Sequence, residues 1–199
     1  IMKNNIYTAI GLMSGTSMDG VDASLIRSDG VNEFSNILDK FYEFDDKLYQ
    51  KLINLRNLIY SKDSLLKYSK DLNELERDLT IFHSKIVNEI VKKYKDEIDL
   101  IGFHGQTIFH DPKIRISRQL GDGEFLSKLT NKKVVYDFRQ EDILNGGQGA
   151  PLASIFHHLV CLQNEIKLPV CFLNIGGISN ITIINDRNDL SQLASKDIG

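Results

Sequence analysis

Apolar and polar positions alternate through the first 44 residues in a way that predicts three consecutive β-strands. The runs "YTAIGLM" and "VDASLI" flank a segment of small residues, and a third run, "EFSNILDKFYEF", follows a short polar interval. Strands separated by segments rich in Gly, Ser and Asp are typical of antiparallel hairpins. The sequence therefore predicts a three-stranded meander over residues 6–44.

The next segment changes to a helical period. Apolar residues recur at the spacing of one helix face in two stripes, which predicts two helices. The stripes consist of Leu48, Leu52, Leu55 and Ile59, and then of Leu65, Leu72, Leu75, Leu79, Phe82, Ile86, Ile90 and Tyr94. Residues 61–63 separate them, and a Ser or Asp there is expected to cap the second helix.

Strands and helices alternate after residue 98. The segment "IDLIGFHGQTIFHDP" predicts a strand that ends in a polar loop, and "KIRISRQLGDG" predicts a short strand with a glycine turn. A helix over residues 124–130, a strand at "KVVYDF" and a helix from Pro151 to Leu162 are expected next, because proline is favoured at the first helical position. A meander followed by this alternation predicts an α/β fold with a mixed sheet.

A second hairpin is predicted at "LPVCFLNIGGISNITIIN", where two apolar runs again flank a small-residue turn. No helix that could cover its sheet is expected after it. We therefore divide the chain into an N-terminal domain, residues 1–166, and the first strands of a second domain, residues 167–199.

Composition narrows the class of protein only a little. Hydrophobic residues make up 42% and charged residues 26%, which excludes a disordered chain. A net charge of -3 gives no broad basic surface, so nucleic acid is not an expected partner. Without a leader-like or membrane-spanning run, no membrane partner is expected and the cytoplasm is the default location. Cys161 and Cys171 have neither disulfide nor zinc spacing, and both are expected to be buried thiols.

The small-residue segment 15–22, "GTSMDGVD", is the first candidate site. Its glycines allow close backbone approach, and the N–H groups of such a turn can bind phosphate. An ordinary glycine-rich hairpin is the alternative. Asp19 and Asp22 would repel a phosphate unless a divalent cation lay between them, which suits Mg²⁺; the alternative is that Asp19 bonds to nearby backbone in an Asx-type turn.

Two further segments carry candidate ligand-binding residues. "FHGQT" places His104, Gln106 and Thr107 just past a predicted strand, where their polar groups would suit sugar hydroxyls, although a lone histidine is more often structural. In "DFRQEDILNGGQGAPL", Arg139 held by neighbouring carboxylates such as that of Asp142 could orient a polar ligand beside a helix N-terminus. A local salt bridge and a flexible glycine connection are the alternative there. In isolation Asp197 indicates little.

Together, "GLMSGTSMDGVD", "GFHGQT", "QLGDG", "DFRQEDILNGGQGAPL" and "NIGGISNIT" resemble the anhydro-N-acetylmuramic acid kinase family, in this order. The resemblance covers Tyr7 to Gly199, about the first half of the family's usual length. It implies an RNase H-like fold of the type found in actin, Hsp70 and sugar kinases, in which two such domains close over ATP, with only the start of the second domain in this chain.

The resemblance also implies a reaction and a set of sites. ATP would phosphorylate O6 of 1,6-anhydro-N-acetylmuramic acid as water opens its internal ring, giving N-acetylmuramic acid 6-phosphate in peptidoglycan recycling. Asp197 matches the aspartate that activates the water, and the sugar side of the cleft matches His104, Gln106, Thr107, Arg139 and Asp142. Residues matching the ATP phosphate site are Gly15, Thr16, Ser17, Met18, Asp19, Gly20, Val21, Asp22, Gly176 and Gly177, and Asp19 and Asp22 are also the candidate Mg²⁺ ligands.

The chain departs from the family's pattern in two ways. "APLAS" stands where the family has "APLVP", and the chain stops at Gly199, before the rest of the D-x-G-P-G-N motif that Asp197 begins. We therefore expect a truncated chain with little activity by itself, whose partner is a second polypeptide carrying the remaining half or a second copy. The alternatives are a non-catalytic remnant and an ATP-binding member of the same superfamily.

Overall fold

A computed structural model describes residues 6–198 as two β-sheets flanked by helices. The strands are β1 Tyr7–Ser14, β2 Gly20–Ser28, β3 Phe34–Glu43, β4 Leu100–Asp111, β5 Ile116–Leu120, β6 Lys133–Tyr136, β7 Val170–Asn174, β8 Asn180–Ile184 and β9 Leu193–Asp197. The helices are α1 Asp46–Leu58, α2 Lys62–Lys67, α3 Ser69–Lys93, α4 Gly123–Thr130, α5 Gln140–Leu144 and α6 Ser154–Gln163.

The larger sheet has six strands, in the order β3-β2-β1-β4-β5, with β6 also paired to β4. β1 to β3 form the predicted antiparallel meander, while β4 runs parallel to β1 and to β6. Parallel neighbours need a crossover connection, and here it is the helical segment from α1 to α3. The predicted α/β fold with a mixed sheet is confirmed.

The helical segment folds as the apolar stripes predict, with one additional break. Ser61 caps α2 through a capping box with Ser64, which confirms the predicted break at residues 61–63. A second boundary falls at Tyr68, where α2 ends and α3 begins. Leu52 and Leu79 are fully buried against the sheet, so this segment covers one of its faces.

The smaller sheet has three antiparallel strands in the order β7-β8-β9. β7 and β8 are the predicted second hairpin, whereas β9 was not predicted. Helix α6 precedes this sheet and packs on β8 and β9. The His157 ring stacks on Phe172 at 4.6 Å and its Nδ1 lies 2.9 Å from the Thr182 hydroxyl.

Two expectations for this part of the chain are wrong. Helix α6 begins at Ser154 and not at Pro151, because the backbone that leads into it is held by Asp142 of α5 and by Arg139, which directly precedes α5: Gly149 donates to the Asp142 carboxylate and accepts from Arg139. Cys161 is buried as expected, but Cys171 is exposed because it lies on the opposite side of β7 from Phe172, which faces α6.

Within residues 6–198, no helix combines the length and apolar character needed to cross a membrane.

Candidate active site

The first glycine turn, residues 15–19, joins β1 to β2. Its Met18 N–H donates to the Gly15 carbonyl at 3.1 Å, and Met18 has a positive φ of 59°. Among the residues that the structure describes, the backbone N–H groups of Thr16 and Ser17 have no acceptor. Adjacent N–H groups of this kind can bind an anion. The turn therefore keeps two donors for a ligand such as phosphate.

Three residues that match the ATP site by resemblance face protein. The side chains of Met18 and Val21 are buried in the core. Gly20 lies against β3, where an added Cβ would come within 2.4 Å of the Tyr42 carbonyl. These residues support the turn through their packing on the core and on β3. The side chains of Met18 and Val21 are not accessible to a ligand.

Asp19 and Asp22 are both exposed beside this turn. The Ser17 hydroxyl donates to the Asp19 carboxylate at 2.6 Å, so the bond expected to the backbone is made to a side chain instead. The described residues contain no cluster of three or more acidic, His or Cys side chains that could hold a metal. Two carboxylates suit Mg²⁺ only when phosphate and water oxygens supply the other ligands.

His104, Gln106 and Thr107 lie inside β4 and not in a loop past it, because that strand continues to Asp111. The strand stays paired through a bulge: Leu12 faces Phe103 but Ser14 faces Gln106. Gly105 makes the bulge, with a positive φ of 70° and with space for a Cβ taken by the Leu120 carbonyl at 2.5 Å. The bulge re-aims the residues on either side of Gly105.

Gln106 points at the first glycine turn. Its side chain is fully buried, its Nε2 donates to the Gly15 carbonyl at 2.9 Å, and its Oε1 accepts from the Ser14 hydroxyl at 2.5 Å. Thr107 is half-buried, and its hydroxyl accepts from Gln119 Nε2 at 3.2 Å. Of the five predicted sugar contacts, Gln106 thus bonds the turn instead.

His104 and Arg139 form a hydrogen-bonded pair. Arg139 donates from Nη2 to His104 Nε2 at 2.8 Å and from Nη1 to the Gly149 carbonyl at 2.5 Å, while His104 Nδ1 donates to the Gly105 carbonyl at 2.7 Å. Burial, and secondly the Arg139 charge, lower the pKa of His104 to about 4. The imidazole is therefore neutral near pH 7, with its tautomer fixed by these two partners.

Asp142 does not pair with Arg139, contrary to both expectations for this segment. It lies in the short helix α5, which was not predicted, and its carboxylate accepts from the Gly149 N–H at 2.7 Å. Gly147 packs on the same carboxylate, which leaves no space for a Cβ. Asp142 therefore holds the glycine loop 146–149 through the Gly149 N–H, and Arg139 donates to the Gly149 carbonyl at the end of the same loop.

Asp197 ends β9, opposite Asn180. Its charge attracts the Arg139 guanidinium and opposes the burial that lowers the pKa of that group. It also attracts His110, whose pKa is lowered by burial and by Arg139. The Asp197 charge therefore acts on two side chains, that of His110 on β4 and that of Arg139 directly before α5.

The second glycine turn, residues 175–179, joins β7 to β8 and approaches the first. A Cβ on Gly177 would lie 2.5 Å from Thr16 Oγ1, so the backbone of one turn touches the hydroxyl of the other. Gly176 has open surroundings by comparison, with its nearest atom at 3.7 Å. The two glycine turns thus face each other.

Two residues of this region were missed or set aside at the sequence level. Ser14 was not among the candidate site residues, although it directly precedes Gly15. His110 was not among them either, yet the charges of Asp197 and Arg139 act on it, and its Nδ1 lies 2.9 Å from the Ser117 hydroxyl. A second polar residue on the strand that carries His104 was the available signal.

Comparison with known proteins identifies the family. A sequence profile described as anhydro-N-acetylmuramic acid kinase matches residues 7–192. A protein of that name from Pelagibacter ubique is 55% identical over 193 residues, which are 97% of this chain and 51% of the relative. Proteins of the same name from Agrobacterium fabrum and Brucella canis are 38% and 41% identical, over 96% and 92% of this chain and 52% and 50% of the relatives.

The chain spans about half the length of the curated relatives it matches, while the match covers nearly all of the chain. The mixed sheet agrees with the RNase H-like fold expected from the resemblance. This chain belongs to the anhydro-N-acetylmuramic acid kinase family.

Proposed function

We propose that this chain forms part of a carbohydrate kinase that transfers the γ-phosphate of ATP to 1,6-anhydro-N-acetylmuramic acid. One observation carries the proposal beyond the family match: two glycine turns from different sheets meet at Thr16 and Gly177. Turns with unpaired backbone N–H groups bind phosphate oxygens, and a pair of them can hold a polyphosphate from two sides. The residues that would bind the phosphates are then residues 15–22 together with Gly176 and Gly177.

The sugar would lie beside His104 and Thr107 of β4 and beside Arg139, which directly precedes α5. Arg139 has five N–H donors, of which three bond His104 and the Gly149 carbonyl; the other two would suit hydroxyl or carboxylate oxygens of a sugar acid. His104 keeps Arg139 in place as a neutral acceptor. Asp142 contributes indirectly, through the glycine loop that it holds.

Asp197 is the proposed general base. It would take a proton from water as the water oxygen bonds to C1 of the anhydro-sugar and the C1–O6 bond breaks. The released O6 would then attack the γ-phosphorus, and ADP would leave with the electron pair of the broken P–O bond. The charge of Asp197 acts on the nearby Arg139 guanidinium. Aligned groups of this kind contribute to catalysis by positioning and electrostatics.

Mg²⁺ fits the exposed carboxylates of Asp19 and Asp22, since both offer hard oxygen ligands beside the first glycine turn. When bound there with ATP, the ion would neutralise the charge that otherwise sets these carboxylates against the phosphates. The Ser17 hydroxyl, bonded to Asp19, would help to hold that carboxylate in one orientation.

The same proposal includes the two-domain division at residue 166, a cytoplasmic location, where ATP is available, and product release into amino-sugar catabolism in peptidoglycan recycling. Because the relatives are about twice as long as the chain's match, we also propose that a polypeptide with the remaining half, or a second copy of the chain, completes the ATP site.

The direct test is to follow sugar 6-phosphate by ³¹P NMR with ATP, Mg²⁺ and the anhydro-sugar. The chain is assayed alone and with a polypeptide containing the unmatched half of the Pelagibacter ubique relative. The Asp197→Asn variant is expected to lose activity by about 100-fold or more, since it removes a general base. The matched control is Asp186→Asn, an exposed aspartate beyond β8 whose carboxylate bonds the Asn188 N–H.

Equal activity in Asp197→Asn and in the unmodified protein would contradict the assigned base. Hydrolysis of ATP that is indifferent to the anhydro-sugar would instead favour an ATP-binding member of the superfamily with no kinase activity.

A further inference from the structure

The side chain of Gln106 is the most completely engaged polar group near the candidate site. It is fully buried, and its amide makes hydrogen bonds from both ends. A buried amide is costly unless its donors and acceptor are satisfied, so this environment accepts glutamine in one orientation. Because a carbonyl only accepts, Nε2 must face Gly15 and Oε1 must face the Ser14 hydroxyl.

These contacts reach both ends of the first glycine turn. Gln106 Nε2 holds the Gly15 carbonyl at the start of the turn, and that carbonyl also accepts from the Met18 N–H. The Ser14 hydroxyl, which contacts Gln106 Oε1, also lies 2.9 Å from the Gly20 carbonyl at the end of the turn. The Gln106 side chain thus connects the end of β1 to the start of β2, directly at Gly15 and through Ser14 at Gly20.

The bulge in β4 makes this reach possible. Opposite Ser14, the strand has advanced by one residue more than β1 since Leu12, and Gly105 takes up that extra residue with its positive φ. Without the bulge, pairing in register would place a different residue opposite Ser14. The glutamine and the glycine before it therefore act together on the turn.

We propose that Gln106 is a positioning residue that holds the first glycine turn for phosphate binding and makes no contact with the sugar. The proposal rests on the kinase function above for the identity of the ligands. It replaces the sugar-side role expected for Gln106, because every polar atom of its amide is already used by the turn, directly or through Ser14, or by the neighbouring Thr107 carbonyl at 3.4 Å.

The test uses Gln106→Met, which keeps the length of the side chain and removes both hydrogen bonds. The matched control is Gln119→Met, the same substitution on β5, where the amide bonds Thr107 and Ser117 and not the turn. Hydrogen exchange of the Met18 amide, followed by NMR in the full chain, reports on the turn itself. We expect exchange to accelerate about tenfold in Gln106→Met, the value of roughly one buried hydrogen bond, and to stay unchanged in the control.

Binding then separates the two ligands. Inorganic tripolyphosphate with Mg²⁺, and the anhydro-sugar, are titrated one at a time by calorimetry. We expect tripolyphosphate affinity to fall about five- to tenfold in Gln106→Met, with sugar affinity within about twofold of the unmodified chain. Weaker sugar binding with unchanged tripolyphosphate binding, or unchanged Met18 exchange, would overturn the proposal.

Ser14→Ala provides a second variant in case Gln106→Met does not fold. It removes the hydroxyl contact to Gln106 Oε1 and keeps the bond from Nε2 to Gly15. Met18 exchange and tripolyphosphate affinity should therefore change in the same direction as in Gln106→Met and by less. No change in either would overturn the proposal. If the unmodified chain binds neither ligand even with the complementing polypeptide present, the ATP and sugar assignments fail, whereas Met18 exchange still decides whether Gln106 holds the turn.

Discussion

The chemistry of single residues in the site depends on partners that come from distant parts of the sequence. His104 is a candidate base by residue type, but its Nε2 accepts from Arg139 and its Nδ1 donates to a carbonyl. With a pKa of about 4, it has neither a free lone pair nor a readily bound proton near pH 7. His104 holds Arg139. Asp197 remains the general base that we propose.

Removing the charge of Arg139 should raise the pKa of His104. The guanidinium disfavours the imidazolium, so Arg139→Met removes the second cause of the lowered pKa, while burial, the first cause, remains. We expect the midpoint of the His104 titration, followed by its Cε1–H resonance, to move upward from about 4 without reaching the usual histidine value. In the control Arg118→Met, which removes a charge bound to Glu76, the midpoint should stay in place. A downward shift in Arg139→Met would contradict the assigned pair.

Residue types could be predicted from the sequence better than their contacts. Most of the glycines, hydroxyls and carboxylates of the candidate site were identified, because short motifs state which groups are present; the Ser14 hydroxyl was missed. Gln106 and Asp142 were assigned to a sugar, yet the first bonds the glycine turn and the second bonds Gly149. Which neighbour satisfies an amide or carboxylate is decided by a bulge or by a five-residue helix, and neither has a period that a sequence reveals.

Among the elements, those with a strong apolar period were predicted correctly, as were the short strands β5 to β8, whereas α5 and β9 were not. The meander, α3 and α4 each contain enough repeats to distinguish strand from helix. β9, "LASKD", has no β-branched residue and forms because β8 offers it a free edge. The continuation of β4 to Asp111 was missed for a similar reason, since a glycine inside a strand resembles the start of a loop.

The first hairpin depends on glycine at the point where the turn meets β3. In Gly20→Ala, the new Cβ would lie 2.4 Å from the Tyr42 carbonyl and 2.5 Å from the Phe41 ring, so β2 and β3 must separate. We expect a loss of about 1 to 3 kcal/mol in the free energy of unfolding measured in urea, as for other overpacked sites. Gly11→Ala is the matched control in β1, where the nearest atom to the Cβ is 4.0 Å away. An equal loss in the two variants would mean that backbone freedom, and not contact with β3, explains the glycine.

At the scale of the whole molecule, the candidate site needs both sheets. The larger sheet supplies the first glycine turn and His104, Arg139 directly before α5 bonds His104, and the smaller sheet supplies the second glycine turn and Asp197. His157 of helix α6 contacts Phe172 of β7 and Thr182 of β8, and so holds the smaller sheet against the helix. The resemblance predicted both turns, but only the folded chain shows that they touch.

That contact predicts different results for two adjacent glycines. Gly177→Ala would place a Cβ 2.5 Å from Thr16 Oγ1 and should push the turns apart, whereas the same change at Gly176 meets nothing closer than 3.7 Å. We expect Gly177→Ala to shift the Thr16 methyl resonance and to weaken Mg²⁺–tripolyphosphate binding about tenfold, because a misplaced contact of this size costs roughly 1 to 3 kcal/mol. Gly176→Ala should do neither.

Thr16→Ala distinguishes contact between the turns from a general effect on the second turn. If Gly177→Ala acts by meeting the Thr16 hydroxyl, its effect on tripolyphosphate affinity should be smaller in a chain that already carries Thr16→Ala, and the two changes will not be additive. Additive losses would mean that the turns bind phosphate independently. The double-mutant cycle therefore tests whether the two sheets form one phosphate site, which no single substitution in either turn can establish.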